Sequence, residues 1–89
     1  MKFTKHNLKK VEHLLEELGY SVRYEKGNFQ SGYCIVADHK IAVINKYFDL
    51  EGRINSMIEI IGSLQPDSSI LSDVSRAVLK EIDKMSVSE

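Results

Sequence analysis

The residues of this chain whose types could do chemistry are few: three histidines, one cysteine, two suitably spaced glycines and a group of lysines near the start. His13 and Glu17 stand four apart, a spacing that places two ligands on one face of a helix and could serve one metal ion. His6 lies about two turns earlier on roughly the same side. Zinc needs one or two further ligands, and no spacing supplies them, so solvated surface histidines are the better reading. Gly27 and Gly32 match G-x-x-x-x-G. A phosphate loop, however, continues with Lys-Ser/Thr into a helix. Here Tyr33-Cys34 follows and the pattern continues as strand, so these glycines are read as permitting a turn. Cys34 would need a base to lower its thiol pKa before it could act as a nucleophile. Only His39 is near it in sequence, and an inert thiol is the simpler expectation. No H-E-x-x-H, paired-cysteine or Gly-x-Ser-x-Gly motif occurs. The chain is therefore read as non-enzymatic, with no catalytic residue, no cofactor and no metal.

Two groups of side chains remain that could bind a macromolecule. Phe29 falls in a turn and Tyr47-Phe48 in a connector, where large rings supply contact area at low entropy cost. With Arg53 they form the expected partner-binding set: Phe29, Tyr47, Phe48 and Arg53. The alternative is a weak nucleic-acid-binding module using Lys2, Lys5, Lys9, Lys10 and Arg23. An α-β-β-β-α order is also that of double-stranded-RNA-binding domains. Those domains carry a lysine cluster at the start of the helix after the sheet. Here that place reads Asp49-Leu50-Glu51-Gly52, which is acidic. Stacking aromatics are present without a ribonucleoprotein-type motif. Protein contact is favoured.

The elements that must position these residues follow from periodicity. Leu8, Val11, Leu15 and Leu18 fall at steps of three and four, which predicts an amphipathic helix over 5–18. Thr4 is its N-cap and Gly19 its left-handed end. Tyr20 to Glu25 alternates with period two and predicts a strand. Lys26-Gly27-Asn28 is turn chemistry. Strands are expected over 31–37 and 41–45, joined by Asp38-His39 as a two-residue hairpin loop. Asp49 should cap a second helix carrying Leu50, Ile54, Met57, Ile58 and Ile61, with Gly62 as its stop. Pro66 breaks the chain. A third helix is expected from about Ser69 to Met85, with Leu71, Val74, Val78, Ile82 and Met85 on one face. Residues 85–89 are read as a frayed tail. The expected fold is α+β: one domain over 1–89, order α-β-β-β-α-α, a three-stranded antiparallel meander covered by helices.

Composition sets the outer limits. Eighty-nine residues make one domain. A hydrophobic content of 43% with 28% charged residues is that of a folded globule. The net charge of −1 gives no global pull toward nucleic acid or anionic lipid. It is unevenly shared: residues 1–48 hold eight basic against five acidic side chains (+3), and residues 49–89 hold four against eight (−4). Such a split could steer a protein partner or a second copy into a homodimer. The single cysteine points to a reducing compartment. With no apolar leader and no membrane-length segment, a cytoplasmic location is expected.

Two resemblances can be stated. Tyr24-Glu25-Lys26-Gly27-Asn28-Phe29-Gln30-Ser31-Gly32-Tyr33-Cys34, then Ile44-Asn45-Lys46-Tyr47-Phe48 and Glu51-x-Arg53-Ile54, together resemble a family of small uncharacterised bacterial proteins. The resemblance covers roughly residues 8–64 and implies no activity. A fainter likeness is to ImmA/IrrE-type zinc peptidase domains, in which a hairpin ending in an Ile-Asn-like step leads to a helix bearing H-E-x-x-H. On that likeness Glu59 would stand at the catalytic glutamate, but Ile58 and Gly62 replace both ligand histidines. It implies a fold without the zinc site.

Overall fold

The computed structural model describes residues 2–27, 32–64 and 66–87. Phe29 and the expected left-handed Asn28 therefore lie outside the described residues. Helix α1 spans Lys5–Glu17 and starts as its capping chemistry requires: the Thr4 hydroxyl accepts from the Asn7 N–H at 3.1 Å. Gly19, at φ 91°, ends it in the left-handed region that glycine tolerates. Strands β1 (Tyr20–Glu25), β2 (Gly32–Val36) and β3 (His39–Asn45) follow, then α2 (Leu50–Leu64), a 3₁₀ turn (Ser68–Ile70) and α3 (Asp73–Val87). The α+β class and the element order agree with the sequence reading.

The antiparallel meander does not. The sheet order is β1-β3-β2, and β1 runs parallel to β3 in register from Tyr20↔Lys40 to Glu25↔Asn45. Only β2 and β3 are antiparallel. The physical reason lies in β3. Its run Ile41-Ala42-Val43-Ile44 is apolar on both faces, which suits the central strand of a sheet. β1, with Ser21, Arg23 and Glu25 exposed on one face, is suited to an edge. Asn45 fastens the arrangement. It is buried at 5% exposure, and its side-chain amide donates to the Gly27 carbonyl at 3.0 Å, tying the exit of β1 to the end of β3. The Lys46 N–H, donating to the Glu25 carbonyl at 2.8 Å, prolongs the parallel ladder by a step.

The hairpin turn is also shifted by one residue. Val36 pairs with His39, so the loop is Ala37-Asp38 and His39 opens β3. Both loop residues have positive φ, 48° and 69°, as a type I′ hairpin demands. Asp accepts that conformation more readily than Ala, for which it costs roughly 1 kcal/mol.

One sheet face is covered. Tyr20, Ala42 and Ile44 pack with Val11, Leu14 and Leu15 of α1, Met57, Ile60 and Ile61 of α2, and Val78, Leu79 and Ile82 of α3. Gly62 does not stop α2, which runs on to Leu64 before the Pro66 break. Helix α3 begins four residues later than the spacing predicts, because Ser68–Ile70 winds as a separate 3₁₀ turn capped by Asp67, whose carboxylate accepts from the Ser69 N–H. It also extends to Val87, through part of the expected frayed tail. Val74, placed on the apolar face by spacing, is 56% exposed, and Ser75 takes the buried position at 1%. None of these helices is long and apolar enough to cross a membrane.

Candidate functional site

The site is built on the four residues between β3 and α2. The Phe48 N–H donates to the Asn45 carbonyl at 3.1 Å. The Asn45 side-chain oxygen accepts from the Tyr47 N–H at 3.0 Å. Arg53, one turn into α2, reaches back and donates from Nε to the Phe48 carbonyl at 3.0 Å and from Nη2 to the Lys46 carbonyl at 2.9 Å. Asp49 caps α2 as expected, accepting from the Gly52 N–H at 2.8 Å. Gly52 avoids a tight contact: a Cβ there would stand 3.1 Å from both the Phe48 Cβ and the Asp49 carboxylate. The connector is thus pinned from β3 on one side and α2 on the other. Tyr47 stands out from it at 70% exposure, while Phe48 turns in and is half-buried.

Beside Phe48 a cleft of about 350 Å³ opens between α1 and α2. Lys5, Leu8, Lys9 and Glu12 form its α1 wall, and Phe48, Asp49, Leu50 and Arg53 the other. Arg53, one of its lining residues, lies with its guanidinium over the Tyr24 ring at 5.2 Å from the centroid. The Tyr24 hydroxyl is buried and has no hydrogen-bond partner among the described residues. Burial first, and then the neighbouring Glu12 carboxylate, push its pKa upward, with Arg53 opposing.

The sequence-derived set divides on this geometry. Phe48 and Arg53 line the cleft and Tyr47 stands next to it in the chain, whereas Phe29 lies outside the described residues. Of the basic set, Lys5 and Lys9 line the same cleft, and Lys2 and Lys10 do not. Arg23 is exposed on the sheet face opposite Tyr24, as strand alternation requires. The five basic residues therefore do not form one surface.

His13 and Glu17 do pair, at 2.8 Å between Nε2 and Oε2, but the pairing is part of a helix clamp. Glu17 also accepts from the Ser72 N–H at 2.6 Å, the Ser72 hydroxyl at 2.8 Å and the Ser75 hydroxyl at 2.5 Å. Ser72 in turn caps α3, accepting from the Ser75 N–H at 3.3 Å. The Ser75 bond foremost, then the two from Ser72, lower the Glu17 pKa to about 2. Sequence reasoning missed this clamp because its partners lie more than 50 residues apart. The only local signal was the serine-rich break after Pro66, which supplies helix caps. His6 and His39 are exposed, as is Glu59 on α2. Among the described residues no three His, Cys, Asp or Glu side chains converge to hold a metal ion. The backbone of Cys34 lies in β2, paired with Ile41.

Neither protein-family models, curated proteins nor solved structures give a match to this chain.

Proposed function

We propose that this chain is a non-enzymatic contact module that docks on a partner protein through Tyr47, Phe48 and Arg53. The observation that carries the reading is Tyr47: a large aromatic ring, 70% exposed, on a connector whose backbone donates to the Asn45 side chain and accepts from Arg53. A ring on a backbone that is already fixed leaves less chain freedom to be lost on binding, so more of its contact energy appears as affinity. The nucleic-acid reading receives less support, since Lys5 and Lys9 line the cleft with Glu12 and Asp49, and Arg23 lies on a separate sheet face.

The test is affinity capture from the source cells with and without nuclease, comparing the unaltered chain with Tyr47→Ala. Because Tyr47 is exposed, the variant should melt within a few degrees of the parent. A protein retained after nuclease and lost with Tyr47→Ala is the expected result. Capture that vanishes with nuclease, or that ignores the substitution, refutes the assignment.

A further inference from the structure

The α1–α2 cleft is chemically divided, and the division specifies what would fill it. Leu8, Leu50 and Phe48 supply an apolar wall; Lys5 and Lys9 stand one turn apart on the α1 rim. Of the other charges in the cleft, Asp49 accepts from the Gly52 N–H, and Arg53 donates to two carbonyls and covers the Tyr24 ring, while Glu12 stands on the same α1 wall as the lysines. Lys5 and Lys9 make no ion pair among the described residues. Like charges four apart on a helix repel one another, a cost that an anion between them would reverse.

Building on the contact reading above, we propose that this cleft receives the C-terminal residue of the partner: an apolar side chain against Leu8, Leu50 and Phe48, its chain-terminal carboxylate between Lys5 and Lys9. About 350 Å³ lies at the small end of ligand cavities and has room for a leucine-sized group with its carboxylate. A residue carrying both an apolar side chain and a carboxylate is a chain terminus. The preceding partner residues would then leave over Phe48 toward Tyr47, joining the cleft to the exposed ring.

The experiment is an NMR titration of the isotope-labelled full chain with N-acetyl-L-leucine, which has both features, and with N-acetyl-L-leucinamide, which lacks the charge. A ligand of this size should bind with Kd on the order of a millimolar. Saturable shifts of the Leu8, Lys9, Phe48 and Arg53 amides are expected with the acid. They should weaken about tenfold in the Lys5→Gln/Lys9→Gln double variant, whose changed side chains are exposed and leave folding intact. Equal binding of acid and amide, or no shift with the acid at about tenfold the expected Kd, overturns the proposal. The double variant in the capture assay separates the two readings: partner retention that depends on Tyr47 but not on the lysines leaves the contact module standing and removes the cleft as its pocket.

Discussion

Replacing Arg53 with lysine isolates what its planar, forked donor does, because the positive charge is kept. Arg53 makes two hydrogen bonds to connector carbonyls, at 3.0 and 2.9 Å, and lies over the Tyr24 ring. A hydrogen bond from a charged donor contributes about 1.5 kcal/mol at the lower end of its range, appropriate to a half-buried group. A guanidinium over an aromatic ring adds about 0.5 kcal/mol at a partly exposed site. A lysine ammonium reaching the same place can keep one carbonyl and loses the other, together with most of the stacking. The expected loss is about 2 kcal/mol. For a domain of this size that lowers Tm by roughly 10 °C. The assay is thermal unfolding followed by far-ultraviolet circular dichroism, with amide exchange at Phe48 as a local reporter, since its N–H bonds to Asn45 inside the same connector. Exchange there should quicken in Arg53→Lys by more than in the core strands. If Tm falls by less than about 2 °C and Phe48 exchange is unchanged, the connector is not held by Arg53, and the argument for a fixed Tyr47 fails with it.

Two further outcomes test other parts of the reasoning. The Glu17 pKa is lowered to about 2 from an ordinary 4.5, so its clamp stabilises the fold fully above about 4.5. That contribution is lost as pH falls through the interval to about 2. Tm measured between pH 6 and pH 2.5 should therefore fall more steeply for the parent than for Glu17→Gln; parallel curves would show that the carboxylate is not the group that matters. Tyr24→Phe removes a buried hydroxyl that has no hydrogen-bond partner among the described residues, and should leave Tm unchanged or raise it by a few degrees. A drop worth more than about 1 kcal/mol would show that Glu12 accepts a hydrogen bond from it in solution.

The parts of the fold that were legible in the sequence are those set by neighbours in the chain. Thr4, Gly19 and Asp49 act as the caps their types announce, and the apolar spacing of α1 and α2 identifies the faces they bury. Strand pairing was not legible, because short loops suggest adjacent strands whether or not the chain crosses over. The feature that accompanies the crossover, an Asn45 side chain donating to Gly27, joins residues 18 apart and resembles any strand-terminal asparagine. The exchange of Val74 for Ser75 in the buried position has the same origin. Spacing sees a valine and a serine, while the reason the serine goes inside is a carboxylate 58 residues earlier. For the site, the aromatic and basic residues could be named singly, but not that Phe48, Arg53, Lys5 and Lys9 would share one cleft.

That convergence gives Arg53 two duties that mutation can separate. It stabilises by joining the sheet to α2 through Tyr24 and the connector carbonyls, and it shapes the binding surface by fixing where Tyr47 stands and what lines the cleft. Tyr47, being exposed, has only the second. Arg53→Lys should therefore weaken partner capture together with stability, because the connector must be ordered before it can bind, and that ordering reduces the affinity gained. Tyr47→Ala should weaken capture with stability intact. If both variants lost stability in proportion to capture, Tyr47 would belong to the core, and the exposed ring would no longer argue for a partner.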